Sequence, residues 1–393
     1  MRLLFICGAL AAGEYLASFC PQLAGTWPIA AIAATLILLF GYGWESKVMC
    51  YAAAVLFGVA LFLFASQDQE EKYLMSPWMR GKEWRSSRRQ VEQVGLAKEV
   101  KGDLSRRVGI GLEQDLESAS LARAILLGER RSLPYRTKRL FIESGTMHVF
   151  AISGLHVMAV AEVLTFCLAF LLVPVRFAGL VSAPLLWGYV AMIGFAPSAV
   201  RAGMMATIMG AAPAFWRRAS GLRAWELTFL IVHVVNPLMI TNVGNVLSFA
   251  VMLAIVLAGD YAKSLTWWRR TLLVTVAAWV TGVPIAAHIF GRVTPGGMIG
   301  NLVLIATAKV TVVSGALGVM ASYLSETLAV HINNLSALGI KSMVLVAEGV
   351  SRIPWTNFET GAWPILTCVE WYAALALIGF LLLKIAERRR ALG

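Results

Sequence analysis

The stretch MIGNLVLIATAKVTVVSGALGVMASY, Met298–Tyr323, carries a single charge, Lys309. About 20 mostly apolar residues suffice for a helix to cross a bilayer, and a run this long with one charge is hard to place in a water-soluble fold. Working outward, comparable runs occur at Leu3–Cys20, Trp27–Tyr42, Val48–Ala65, Met147–Leu172, Phe177–Phe195, Ala199–Phe215, Trp225–Ile240, Gly244–Gly259, Thr271–Phe290 and Leu366–Ile385. The shorter ones contain glycine or proline and read as broken or re-entrant. Leu3–Cys20 follows Arg2 like a signal peptide, but Glu14 and the missing cleavage pattern favour an uncleaved span. The sequence thus predicts an all-α polytopic membrane protein with about 10–12 transmembrane helices.

Composition agrees. Apolar residues make up 59% and charged residues 14% of the 393 positions, against roughly 45–50% and about 25% in soluble domains. Half of the charge, 28 of 56 residues, falls between Gln67 and Thr146. This divides the chain into a three-span segment (1–66), a polar, amphipathic-helical segment (67–146) and a second membrane region (147–393). The net charge of +12 does not by itself imply nucleic acid, because cytoplasmic loops of membrane proteins gather Lys and Arg. Two such loops hold Arg217, Arg218 and Arg223, and Lys263, Arg269 and Arg270, beside Trp216, Trp225, Trp267 and Trp268. Placing them in the cytoplasm puts 67–146 outside and the N-terminus inside. A cytoplasmic tail at Arg388–Arg390 then requires Leu328–Val350 to cross. Its Asn333, Asn334, Lys341 and Glu348 equally suit a helix lying on the membrane surface.

Within the polar segment, Leu104, Val108, Leu112, Leu116, Ala119, Ala122 and Leu126 recur at helical spacing, predicting one amphipathic helix ended by Gly128. The five cysteines show no framework spacing. The five histidines are far apart except His148 and His156, and with no HExxH or HxHxDH no catalytic residue, metal or cofactor is expected.

Polar groups inside a bilayer are costly and need reasons. His148, Ser153, Gly154 and His156 enter the membrane together, and a single helix would put Ser153 and His156 on one face. They then line a polar path; alternatively Ser153 bonds its own backbone, Gly154 serves close packing and His156 is interfacial. In Gly194-Phe195-Ala196-Pro197-Ser198-Ala199-Val200-Arg201, Ser198 reads as a helix N-cap and Arg201 as a first-turn cation that calls for an anionic partner. Arg201 then meets phosphate in a vestibule, snorkels to the interface or braces a carboxylate. Glu14, Glu162, His233, Asn236, Ser248, His288, Asn301 and Lys309 are further buried polar candidates, with Lys309 pairing to Glu162 or Glu14.

Several of these motifs resemble the ComEC competence family. They are Ala124-Ile125-Leu126-Leu127-Gly128-Glu129-Arg130, Gly145-Thr146-x-His148, Ala151-Ile152-Ser153-Gly154-Leu155-His156-Val157 and Pro197-Ser198-x-x-Arg201-Ala202. Weaker matches follow at Asn236-Pro237, Leu247-Ser248-Phe249 and Gly300-Asn301-Leu302. The resemblance covers roughly residues 120–305. It implies a bacterial inner-membrane channel admitting single-stranded DNA during transformation, with residues 147–393 as the channel domain. His148, Ser153, Gly154, His156, Ser198, Arg201 and Asn301 would line it or contact DNA. Trp78, Trp84, Arg80, Arg85, Arg88 and Arg89 would form a rudimentary strand-binding surface outside. A DNA receptor and an ATP-driven motor are the implied partners beside the lipid bilayer, and homo-oligomers are allowed. Longer members carry an outside OB-type domain and a metallo-β-lactamase-like domain. The resemblance assigns neither here, leaving any nuclease to another polypeptide. Transport of another anionic solute, or a scaffolding role, is the rival reading.

Overall fold

The computed structural model describes residues 95–129, 133–150 and 153–375. The first three expected spans, the Trp78–Arg89 surface and the end of the last span lie outside them. The described chain is almost wholly helical: α1 (Gly95–Val108), α2 (Leu116–Leu127), α3 (Tyr135–Glu143), α4 (Gly154–Phe170), α5 (Val175–Met192), α6 (Pro197–Ala211), α7 (Gly221–Val235), α8 (Val243–Tyr261), α9 (Trp267–Phe290), α10 (Pro295–Ala321), α11 (Glu326–Ser351) and α12 (Ile365–Leu375). One short antiparallel pair, β1 (Arg292–Val293) with β2 (Phe358–Glu359), is closed by the Arg292–Glu359 ion pair. Among the described residues, α5, α8, α9, α10 and α11 are long and apolar enough to cross a membrane. The protein is an all-α polytopic membrane protein.

Two compact units divide the chain. One gathers the described residues up to Leu133 with Val149–Phe249 and Thr307–Lys341; the other gathers Pro134–His148, Ala250–Ala306 and the residues from Ser342 on.

In the first unit α4, α5 and α6 pack mutually, and α7 packs on α6. The α5–α6 crossing brings backbone onto backbone: a Cβ on Gly179 would sit 2.5 Å from the Gly210 carbonyl oxygen. Only glycine permits that approach. The expected single amphipathic helix of the polar segment is two helices. Gly111, at φ +81°, breaks the stripe, and Asp115 restarts it as the N-cap of α2 by accepting the Ser118 N–H at 3.0 Å. Gly128 ends α2 in the left-handed conformation, as the sequence predicts. Helix α2 is buried on most of its surface: the Tyr189 hydroxyl of α5 donates to the Leu126 carbonyl at 2.9 Å, and Gly315 of α10 abuts the Leu126 side chain.

Two of the polar positions of α11, Asn333 and Lys341, have partners in the same unit. Asn333, buried, donates to the Arg107 carbonyl in the last turn of α1 and to the Ile110 carbonyl just beyond it, at 3.2 and 2.9 Å. This satisfies carbonyls that the helix end leaves orphaned. Lys341 pairs with Asp115 at 2.9 Å. With 26 residues, α11 is long and apolar enough to cross.

Candidate functional site

One buried polar network of the first unit is built on α6. The turn before it holds two consecutive left-handed residues, Gly194 (φ +77°) and Phe195 (φ +48°). The second is unfavourable for a side chain and therefore a local constraint. Ala196 is extended, as a residue before proline must be, and Pro197 takes the first helical position. The N-cap is thus Ala196 and not Ser198, which lies inside the first turn; proline's missing N–H decides the register.

One turn on, Arg201 points into the unit and is only 6% exposed. Its Nε donates to Ser248 Oγ at 3.0 Å, one terminal nitrogen to Asn245 Oδ1 at 2.9 Å, and the other to the Gly244 carbonyl at 3.4 Å. The guanidinium also stands 5.5 Å from the centre of the Phe249 ring, within cation–π range. All four partners belong to the N-terminal half of α8, where Asn245 and Ser248 are three residues apart on one face.

The network continues in a fixed direction. Asn245 spends its amide protons on the Met239 carbonyl (3.0 Å) and on His233 Nε2 (3.2 Å), and His233 Nδ1 faces the Phe229 carbonyl at 2.9 Å. A carbonyl only accepts, so Nδ1 carries the proton and Nε2 is the acceptor. The chain Arg201→Asn245→His233→Phe229 is thereby complete with a neutral imidazole. Trp225, Phe229 and Phe249 wall it off, ring against ring, with Trp225 Nε1 donating to the Phe249 carbonyl at 3.0 Å.

The anionic partner expected for Arg201 is not there: among the described residues no carboxylate forms an ion pair with it. Its partners are a hydroxyl, an amide and a carbonyl. Burying a cation costs several kcal/mol unless the site is rich in acceptors, and here three acceptors meet a group with five N–H donors.

The other site residues separate. His148, Ser153 and His156 do not share a helix: His148 lies in a one-turn 3₁₀ segment, Met147–Val149, and Ser153 is extended and caps α4. Serine before glycine favours a cap over helix continuation. His156 Nδ1 accepts the Ser153 N–H at 3.0 Å and lies 3.1 Å from Ser153 Oγ, and the ring is 1% exposed. This pair locks the start of α4; Gly154 is its first residue. Glu162 and Lys309 do pair, at 2.6 Å, but with side chains 56% and 47% exposed rather than buried. Their length carries both charges to the outside of the helices. Ser248 is half-buried. Asn236 Oδ1 accepts the Leu238 N–H at 3.2 Å, capping a 3₁₀ turn.

In the second unit His148, exposed, stands beside Asn301. The preceding Gly145, at φ +71°, lies so close to Thr294 and Gly297 that a Cβ would come within 2.7 Å of Thr294. The Gly145-Thr146-x-His148 turn thus sits on the glycine-rich start of α10, with Trp279 Nε1 holding the Thr294 carbonyl at 3.1 Å. Asn301 Oδ1 is buried with no hydrogen-bond partner among the described residues. His288 Nδ1 reaches the Trp363 carbonyl at 2.6 Å.

Sequence reading missed Asn245, the centre of the network. Asn242, Asn245 and Ser248 at three-residue intervals in an otherwise apolar run were the available signal. It also missed Glu226, a carboxylate buried on α7.

Comparison with known proteins follows the same residues. ComE operon protein 3 of Bacillus subtilis (strain 168) is 25% identical over 213 residues, 54% of this chain and 27% of that protein. A protein of Escherichia coli (strain K12) described as uncharacterized protein YcaI is 26% identical over 265 residues, 63% of this chain and 35% of its own length. The chain spans well under half the length of these curated relatives, and no solved structure matches it. A family model described as Competence protein matches residues 125–385, a stretch that contains the whole Arg201 network and the His148 turn; the chain belongs to the Competence protein family.

Proposed function

We propose that this chain is an inner-membrane component of the conduit that admits single-stranded DNA during transformation. The observation that carries the reading is the buried Arg201 guanidinium, held entirely by uncharged partners inside the matched family region. Membership of a family described as competence proteins supports DNA as the cargo. A conduit must attract a polyanion without trapping it, so one shielded cation on a rigid mount suits it better than a dense basic cluster. Single strands are held through backbone charge and stacking, without base readout.

On this reading His148 and Asn301 of the second unit provide a further polar station, whereas Ser153, Gly154, His156 and Ser198 shape the helix starts that hold the path. The chain does no covalent chemistry itself. Both termini face the cytoplasm, and a DNA receptor and an ATP-driven motor deliver and pull the strand.

The test is uptake of labelled DNA in a deletion strain complemented with variants. Loss of cytoplasmic signal on deletion, absence with Arg201→Ala at normal membrane levels, and partial return with Arg201→Lys are expected, because lysine keeps the charge and loses the planar fork. Normal uptake in the deletion strain would refute the conduit reading, leaving transport of another anionic solute to explain Arg201.

A further inference from the structure

We propose that Arg201 anchors a phosphate site where, among the described residues, no carboxylate pairs with the guanidinium, so that a phosphate mono- or diester from outside the fold supplies the counter-charge. Only the nucleic-acid source of that phosphate rests on the function proposed above.

The geometry is that of a mounted group with donors to spare. Ser248 fixes Nε and Asn245 fixes one terminal nitrogen at ordinary hydrogen-bond lengths, whereas the other terminal nitrogen has only the 3.4 Å contact to the Gly244 carbonyl. Three acceptors leave two of the five N–H groups for a ligand, and paired guanidinium N–H groups match two phosphate oxygens. The weakly held nitrogen lies at the corner where the 3₁₀ turn Pro237–Thr241 meets α8, and Thr241, Asn242, Val243 and Gly244 there are all exposed. A ligand therefore approaches from that corner.

The mount argues against a bracing role. Asn245 stands where an aspartate of the same shape would have neutralised Arg201, and it is an amide instead. Its two protons are taken by Met239 and His233, and the His233 proton by Phe229, so nothing in the network is left to shuttle charge onto Arg201. The same arrangement keeps Asn245 from flipping, because its Nδ2 face is already occupied and only Oδ1 can meet the guanidinium. Asn245 and His233 are positioning residues for Arg201.

At Ser248 a single charge can be added next to the guanidinium without touching the positioning chain. Ser248 is half-buried and bonds only Nε. Ser248→Asp sets a carboxylate against Arg201, and Ser248→Asn adds nearly the same volume without charge.

The full chain in nanodiscs is titrated with a fluorescent oligothymidylate at several salt concentrations. Phospholipid retained after detergent purification is measured by mass spectrometry in parallel. If the phosphate comes from nucleic acid, Ser248→Asp binds the oligonucleotide about tenfold more weakly than Ser248→Asn. Its slope of log K against log salt becomes shallower by about 0.7, the value for one lost single-strand phosphate contact. If oligonucleotide binding is equal in the two variants but retained anionic lipid disappears only in Ser248→Asp, the site stands with a lipid headgroup as its source and the DNA reading loses its carrier. Equal oligonucleotide binding and equal lipid in the two folded variants overturns the proposal. Should Ser248→Asp fail to accumulate, Gly244→Asp against Gly244→Asn adds the charge at the exposed residue whose carbonyl accepts from Arg201, with the same outcomes expected. There a Cβ meets only Asn242 Oδ1, at 3.4 Å.

Discussion

Asn245 is the residue on which the first unit's polar interior turns, and replacing it with leucine gives a magnitude that can be worked from its contacts. The substitution keeps the volume and removes one acceptor and two donors. The Met239 carbonyl is not stranded, because it also accepts the Asn242 N–H at 3.1 Å. Two groups are: a terminal nitrogen of Arg201 and Nε2 of His233, the latter in a residue with no exposed surface. A buried donor or acceptor without a partner costs about 1–3 kcal/mol, more when charged, so Asn245→Leu should destabilise by about 3–5 kcal/mol. The sharper expectation concerns the double variant. His233→Phe removes the stranded acceptor, and a phenyl ring joins Phe229 and Phe249, which already flank that position. Asn245→Leu/His233→Phe should therefore recover about 1–3 kcal/mol over Asn245→Leu alone, because deleting both partners is cheaper than deleting one. The assay is thermal or denaturant unfolding of the purified chain in mild detergent, arranged as a double-mutant cycle. Additive losses, or an Asn245→Leu cost below about 0.5 kcal/mol, well short of an unmet buried hydrogen bond, would show that the two side chains are not coupled as described.

At the α5–α6 crossing, Gly179→Ala forces a methyl group onto the Gly210 backbone and should cost about 1–3 kcal/mol. Gly188→Ala, with nothing within 4 Å of the added carbon, should be neutral or slightly stabilising in the same unfolding assay. The Ser118 backbone N–H, with Lys341 and the Ser118 hydroxyl, lowers the Asp115 carboxyl from its ordinary value to about 2. A depressed carboxylate stabilises the fold above its unfolded pKa of about 4 and loses that contribution as pH falls towards 2. Amide-exchange protection of α2 should fall across that window in the wild type and show no such transition in Asp115→Asn. For the Lys309–Glu162 pair, Lys309→Glu or Glu162→Lys alone should lower the amount of protein inserted, since an unpaired charge in a span costs about 2.5–3.5 kcal/mol. The reversed pair should restore it on immunoblots of membrane fractions; equal levels in all three would show that the two charges do not depend on each other.

Hydropathy made the long helices legible, because the requirement for a bilayer-length apolar run is written in consecutive residues. α9 and α10 begin within a few positions of the runs read from sequence. That Lys309 needs a carboxylate was legible for the same reason, with Glu162 and Glu14 both open; the fold selects Glu162. Breaks were harder to read. The stripe from Leu104 to Leu126 keeps its spacing through Gly109, Ile110 and Gly111, so periodicity alone joined α1 to α2. Likewise the hydropathy of Met147–Leu172 hid a helix that starts only at Gly154, where Ser153 and His156 close on each other. Arg201 stood out as a cation at a helix start. Its neutral surroundings did not, because Asn245 and Ser248 reach it from α8, more than forty residues later. Chain order gives no hint of that meeting; a tertiary fold is needed to make it.

The burial of α2 sets a timetable for biogenesis. Twelve residues make a helix roughly 18 Å long, too short to be handed sideways into the bilayer as a spanning segment, and it carries Glu117 and Arg123. Its resting place is made by Tyr189 of α5 and Gly315 of α10, and the second of these is synthesised long after α2 has left the ribosome. At about 5–20 residues per second the gap is roughly ten to forty seconds. Throughout it the Leu126 side chain lacks the Gly315 wall of its groove. The nascent chain thus waits with an apolar helix at the membrane surface until α10 arrives. A ribosome stalled before α10 leaves that helix undocked and open to proteases, however well the earlier spans have inserted.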